Sequence, residues 1–180
     1  MNHEIQSILS AALFAAEKHA SQKRKGKAAE PYINHLIEVA QLVSMAVPEP
    51  DTNLVMAALL HDTIEDTGIT VVELTERFGQ DVADLVVEMT YDKSLPKAER
   101  KRLQIEHAPK MSARAQTIKL ADKISNLRGI LTSPPIDWEY ERKRQYFDWG
   151  KSVVDALSAP NPILKAEFEK TYRRFEEIRA

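Results

Sequence analysis

The stretch Leu59-Leu60-His61-Asp62-Thr63-Ile64-Glu65-Asp66 runs an apolar segment straight into one imidazole and three carboxylates. On a continuous helix, His61 and Glu65, and likewise Asp62 and Asp66, are separated by a full turn, so the four groups crowd onto neighbouring parts of one surface. Carboxylates at that place repel one another and face the negative end of the helix dipole. Local energetics oppose the arrangement and demand a compensating cation, of which a divalent metal is the economical choice. The alternative is a solvated helix end with a satisfied core histidine. That reading suits an isolated His-Asp pair; the apolar helix and the trailing Glu65-Asp66 weigh against it without removing it.

His61 and Asp62 are adjacent and cannot complete a coordination sphere, so further ligands must come from other elements. His35 follows Pro31-Tyr32-Ile33-Asn34 at the start of an apolar periodic segment, and Asp122 interrupts the apolar run from Ile118 to Leu127. Either residue taken alone reads as structural. Together with His61 and Asp62 they supply imidazoles and carboxylates, a mixed N/O set suited to Mn²⁺, Fe²⁺ or Zn²⁺. The chain has no cysteine, which excludes thiolate metal sites, disulfides and a thiol nucleophile.

The elements that must position these groups read as helices. Only 5 glycines occur, no extended alternating segment stands out, and a helical period recurs. Ile5, Ile8, Leu9, Ala12, Leu13 and Ala16 mark one amphipathic helix, and Leu36, Val39, Ala40, Leu42 and Val43 a second, with a basic loop from Ser21 to Glu30 between them. Pro48-Glu49-Pro50 ends the second, and Asp51 or Thr52 caps a third that is apolar all round from Leu54 to Leu60 and therefore central. Gly68 is placed to end it. Thr70 and Glu73 form a capping-box spacing for a short helix stopping at Phe78-Gly79. Val82, Leu85, Val86 and Met89 continue the pattern, Pro96 opens a charged helix towards Ala108, and Ser112 starts the one bearing Asp122. Ser133-Pro134-Pro135 is a break, Asp137 caps an aromatic-rich helix, and Asn161-Pro162 opens the last. The expected architecture is all-α, a single domain over residues 1–180 with about eight to nine helices.

The apolar fraction of 43% supports a core, and a formal net charge of −2 provides no global field towards long nucleic acid or membrane. Basic residues cluster locally at Lys23 to Lys27, Arg100 to Arg102 and Arg142 to Arg144, patches that suit a small polyanion. No basic leader precedes an apolar run, and no apolar stretch approaches the roughly 18 residues of a membrane span. The expectation is a cytoplasmic protein.

The order His35, His61-Asp62, Asp122 is the H…HD…D signature of the HD superfamily. Arg24-Lys25-Gly26, Pro31 to His35, Ala57 to Thr67, Phe78-Gly79, Lys119 to Leu127 and Tyr146 to Trp149 extend the likeness, over nearly the whole chain, to the hydrolase domain of RelA/SpoT homologues. With no synthetase region following, the chain resembles the stand-alone alarmone hydrolases of metazoan type. That resemblance implies an all-helical fold, one Mn²⁺, and removal of pyrophosphate from the ribose 3′ position of ppGpp or pppGpp, leaving GDP or GTP. It implies metal ligation by His35, His61, Asp62 and Asp122 and catalysis by Glu65 and Asp66. It also implies contacts to the guanine nucleotide by Arg24 and Lys25, to the ribose by Asn126, and near the phosphates by Tyr146.

A metal would acidify water and polarise a phosphoryl oxygen, and Glu65 or Asp66 would take the proton, one of them with a pKa raised by mutual repulsion. Phe147 and Trp149 read as core aromatics, Lys97, Arg100, Lys101 and Arg102 as a solvated face with contact to the distal pyrophosphate as the alternative, and His3, His19 and His107 carry no assigned role. Leu36, Tyr91 and Gly129 depart from the family pattern, and Gly129 bears on purine selectivity. The competing expectations are an HD phosphatase for another nucleotide, such as the 2′-phosphate of NADPH, and a non-catalytic nucleotide-binding module. Intact Glu65 and Asp66 weigh against the module.

Overall fold

Four of the capping signals act where the sequence places them. Asp51 Oδ1 accepts the Leu54 N–H at 2.9 Å, Thr70 Oγ1 that of Glu73 at 3.2 Å, Ser112 Oγ that of Ala115 at 3.1 Å, and Asn161 Oδ1 that of Ile163 at 3.0 Å. Each satisfies an amide that the first helical turn leaves without a partner. A computed structural model describes residues 2–49 and 51–177, so Pro50 of the expected break lies outside the described residues. The helices are α1 (Asn2–Lys18), α2 (Ile33–Ala46), α3 (Thr52–Leu60), α4 (Thr63–Thr67), α5 (Val71–Phe78), α6 (Gln80–Met89), α7 (Lys97–His107), α8 (Ala113–Thr132), α9 (Tyr140–Asp155) and α10 (Pro162–Glu177). A 3-10 turn, Ala108–Lys110, links α7 to α8. Among the described residues there is no strand, only an isolated bridge between Lys23 and Pro31. None of these helices is long and apolar enough to cross a membrane.

α3 is the central element, as its all-round apolar sequence requires. It packs on α1, α2, α6 and α8, with Leu54, Met56, Ala57, Ala58, Leu59 and Leu60 buried. Leu36 on α2 and Ile118, Leu120, Ile124 and Leu127 on α8 close around it, all fully buried. Each such side chain contributes roughly 1.5–3 kcal/mol by leaving water. α8 is unusual in carrying Lys119, Asp122, Lys123 and Ser125 on buried positions amid this apolar packing. Buried charge is tolerated only when paired, so these residues mark where the core gives way to a site.

Two expectations need correction. The helix through His61 and Glu65 is not continuous: α3 ends at Leu60, His61 and Asp62 form a turn with Asp62 at φ −101° and ψ 0°, and α4 starts at Thr63. The cause is local, because His61 Nδ1 donates to Ala58 O at 2.8 Å, the carbonyl that a continuous helix would offer to the Asp62 N–H. Asp137 does not cap α9. That helix starts at Tyr140, and Asp137 instead pairs with Arg142 at 3.5 Å. The chain leaving Pro134-Pro135 first makes a turn, Trp138 N–H to Pro135 O at 3.2 Å, which carries Asp137 too far from the helix start to reach its amides.

Candidate functional site

The turn after α3 lets the neighbours His61 and Asp62 face the same point, which adjacent residues of one helix cannot do. His35 from the first turn of α2 and Asp122 from the middle of α8 complete the group. Ligand atoms of His35, His61 and Asp62 all lie within 4.8 Å of one another. His35 Nε2 is 3.3 Å from Asp122 Oδ1 and 3.9 Å from Asp62 Oδ2, and His61 Nε2 is 3.7 Å and 3.3 Å from the same two atoms. Both rings are about 1% exposed, and among the described residues neither Nε2 has a hydrogen-bond partner.

The other ring nitrogens explain why. His61 Nδ1 is committed to Ala58 O. Ser125 Oγ donates its single proton to Glu38 Oε2 at 2.6 Å and must therefore accept from His35 Nδ1 at 2.8 Å. Each imidazole thus turns Nε2 inward, the arrangement outer partners impose on metal-binding histidines. Tyr32 Oη donates to Asp62 Oδ2 at 2.5 Å, Asn126 Nδ2 to Asp122 Oδ1 at 2.5 Å, and Lys123 Nζ to Asp122 Oδ2 at 3.0 Å. Buried nitrogens left bare opposite two oriented carboxylates fit a divalent cation.

The electrostatics agree. Burial is the largest influence on both rings and opposes their charged forms. It prevails at His35, whose pKa is lowered, whereas the Asp62 and Asp122 carboxylates outweigh it at His61 and push that ring up to about 10. Burial also opposes ionisation of both aspartates, but the facing His61 and, for Asp122, Lys123 hold them well below the usual carboxylate range. The cluster therefore attracts positive charge, and a proton on His61 competes with a metal for the same place.

Glu65 and Asp66 stand apart from this set and have cations of their own. Glu65 Oε1 accepts from Arg100 Nη1 at 3.3 Å and Oε2 from the Tyr91 backbone N–H at 3.1 Å. Burial raises the Glu65 carboxyl, the Tyr91 amide partly opposes this, and nearby Asp62 and Asp66 add to the rise. Asp66 pairs with Lys93 through Oδ1 and accepts from Gln22 Nε2 at 2.6 Å through Oδ2. The repulsion noted in the sequence is thus relieved in part by Lys93 and Arg100. A metal is needed only for the inner cluster.

Both carboxylates line a cleft of about 480 Å³, as do Tyr32 and Asn126, the partners of Asp62 and Asp122. All the substrate candidates, Arg24, Lys25, Asn126 and Tyr146, line it. Seven cationic side chains face it against three carboxylates, so its field favours a polyanion. Lys97, Arg100 and Lys101 are among them, which corrects their reading as a solvated face; only Arg102 turns outward, pairing with Glu99 and Glu106. Trp149 packs against the core as expected and also lines the cleft with Trp138 and Tyr146, and Lys101 Nζ lies 4.6 Å from the Trp149 ring centroid. Phe147 is fully buried, as expected.

The loop bearing Arg24 and Lys25 is anchored by close approach. A Cβ at Gly26 would lie 2.2 Å from Ser133 O, so only glycine lets the loop lie on the α8–α9 connection. Arg24 reaches α8, donating to Ser125 Oγ at 3.3 Å and Ser125 O at 3.2 Å, over Gly129. Sequence reasoning missed Tyr32, Ser125, Lys123, Lys93 and Gln22 as site residues. Ser125 and Lys123 had a signal, their nearness to Asp122 on one helix, whereas Lys93 had none.

Residues 11–146 match the HD domain family. A Xenopus tropicalis protein named guanosine-3′,5′-bis(diphosphate) 3′-pyrophosphohydrolase MESH1 is 47% identical over 172 residues, covering 96% of this chain and 96% of its own. The Homo sapiens protein of that name is 44% identical over 174 residues, covering 97% of each. A solved structure, described as a metazoan orthologue of SpoT that hydrolyses ppGpp and plays a role in starvation responses, is similar at a TM-score of 0.89 and 45% identity, covering 93% of this chain and 94% of its own.

Proposed function

The chain belongs to the HD-domain family, and from that premise we propose that it hydrolyses ppGpp or pppGpp at the ribose 3′ position, releasing pyrophosphate and GDP or GTP. The observation that carries this reading is the pair of bare, buried Nε2 atoms behind Tyr32 and Asn126 of a cationic cleft, which two carboxylates outside the ligand set also line. We assign His35, His61, Asp62 and Asp122 as ligands of one Mn²⁺. The whole chain, residues 1–180, acts as one unit. Helix α10, beyond the family match, is tied to it by Arg128–Glu167 at 2.6 Å and by Phe147 stacked on Phe175.

When bound, a divalent cation supplies Lewis acidity, neutralising phosphoryl charge and making water a stronger acid. Glu65 accepts the proton of the attacking water, and its raised pKa makes it a better base than an ordinary carboxylate. Asp66, held by Gln22 and Lys93, shares the proton transfer. The water oxygen bonds to the phosphorus attached to the 3′ oxygen, the P–O3′ bond breaks, the 3′ oxygen takes up the proton that the carboxylates removed from the water, and pyrophosphate departs. Arg24 and Lys25 bind the guanine nucleotide, Asn126 the ribose, and Tyr146 lies near the phosphates. Lys97 and Lys101 neutralise phosphate charge beside it; burial first, and neighbouring cations after it, hold the pKa of each below its usual value, and anion binding relieves the repulsion among those cations.

Purified protein given ppGpp and Mn²⁺ is expected to release pyrophosphate. Release of orthophosphate from the NADPH 2′-phosphate with no turnover of ppGpp would replace this substrate with the other, and no turnover of either would leave a binding module.

A further inference from the structure

His19 lies just past α1 and is 3% exposed, outside both the ligand set and the cleft lining. Its Nδ1 is 2.7 Å from Gln22 Oε1, and the other end of that amide, Nε2, donates to Asp66 Oδ2 at 2.6 Å. The direction of this chain follows from donor inventories. The Asp66 carboxylate, paired with Lys93, only accepts, so Gln22 must turn its NH₂ towards it and its carbonyl towards His19. His19 must then carry its proton on Nδ1. Its Nε2 is left buried without a partner among the described residues.

That orphaned nitrogen carries a desolvation cost that an apolar ring of similar size would not. The imidazole is also held in place. It stacks on Tyr32 with ring centroids 5.2 Å apart and planes at 25°, and Tyr32 itself donates to Asp62. The Gln22 backbone is pinned at both ends, its N–H to His19 O at 2.9 Å and its carbonyl accepting from Tyr32 N–H at 3.1 Å. A polar chain this constrained, ending on a carboxylate at the cleft floor, does more than fill space.

We propose that His19 and Gln22 are positioning residues, a relay rooted in the buried His19 that holds the Asp66 carboxylate in the orientation that proton transfer requires. The proposal rests on the reading of Asp66 as catalytic. The relay fixes one oxygen of Asp66 through a half-buried amide anchored on the buried His19, leaving the Lys93 side to yield when a polyanion enters. Lys93 is 51% exposed and can exchange Asp66 for a phosphate, whereas the Gln22 amide is held by His19 behind it.

Two arms test this. Long-range ¹⁵N NMR of the histidine rings reads the tautomer without any turnover. His19 is expected as the Nδ1–H form, and an Nε2–H form would overturn the relay whatever the substrate is. In kinetics with ppGpp, His19→Phe keeps a ring against Tyr32 but removes the donor, and His19→Asn keeps a donor near the Nδ1 position but removes the ring. The relay predicts that His19→Phe lowers kcat roughly 10–100-fold, the span outer-shell partners command. KM and bound Mn²⁺ should hold steady, and His19→Asn should recover most of the rate. Gln22→Met should behave as His19→Phe does. A merely structural histidine predicts the reverse, with His19→Phe active and His19→Asn impaired and less stable to heat. Adding His19→Phe to Asp66→Asn should cost nothing further. An impaired Asp66→Asn beside an unaffected His19→Phe would overturn the relay alone, and a fully active Asp66→Asn would overturn the catalytic reading and the relay with it.

Discussion

Replacing Gly129 with alanine would disturb Arg24 and little else. The new Cβ would lie 2.5 Å from Arg24 Nη2 and 3.2 Å from its Cζ, and the next contact, Nε, is at 3.5 Å. Relief needs a shift of about 1 Å in the guanidinium, since carbon contacts settle near 3.5–4.0 Å. Such a shift breaks both donations to Ser125, which at 3.2 and 3.3 Å have no slack. Hydrogen bonds from charged groups contribute roughly 1.5–3 kcal/mol. These are long and partly exposed, so the lower figure suits the pair together, and about 1.5 kcal/mol corresponds to roughly tenfold in affinity.

Stability should hardly change, because alanine in the interior of α8 gains up to ~1 kcal/mol of helix propensity over glycine, offsetting most of the loss. The expected result is a KM for ppGpp raised about tenfold, kcat and bound Mn²⁺ near the wild-type values, and a melting temperature within a few degrees of the wild type. Steady-state kinetics, metal analysis and thermal unfolding read the three quantities. Arg24→Ala is the control, and Gly129→Ala should add nothing to it. An unchanged KM in Gly129→Ala beside an impaired Arg24→Ala would refute the idea that Ser125 seats this guanidinium, and a collapse in melting temperature would refute the claim that only Arg24 must move.

His61→Ala or Asp122→Ala should abolish bound metal and nearly all turnover while helical circular dichroism persists, and wild-type metal content in either would contradict the ligand set. Glu65→Gln and Asp66→Asn should keep metal and nucleotide affinity while kcat falls by roughly two to four orders of magnitude; loss of metal would make them ligands. Because Glu65 acts ionised and burial raises its pKa, activity should be lost as pH falls through a value above the ordinary 4.5. Glu65→Gln should erase that acid limb, and a limb that persists must belong to another group. With His61 held up to about 10 in the metal-free cluster, Mn²⁺ binding near neutral pH should release about one proton, seen by calorimetry in buffers of differing ionisation enthalpy; no release would mean a neutral ring. Arg24→Lys should raise KM for ppGpp despite keeping the charge, because a lysine cannot make both contacts to Ser125. Equal weakening of every polyanion would reduce Arg24 to a diffuse attractor.

The parts of this protein legible in its sequence are those decided within a turn or two of chain. Periodic apolar positions, and caps at Asp51, Thr70, Ser112 and Asn161, rest on backbone hydrogen bonds between residues three or four apart, so helices and most of their ends could be read directly. The inner cluster of His35, His61, Asp62 and Asp122 was legible because carboxylates interrupting apolar helices are costly anywhere except around a cation. What lay beyond that range was decided by docking. Lys93 and Arg100 reach Asp66 and Glu65 from 27 and 35 positions away, and Lys97 and Lys101 turn into the cleft with them, so a charged helix that reads as solvated becomes one wall of the site. Ser125 joins Arg24, His35 and Glu38 only because α2, α8 and the basic loop converge on it. Periodicity specifies which face of a helix is apolar. The angle and register at which two helices meet depend on how all their side chains interlock, and that choice brings distant polar atoms within 3 Å of one another.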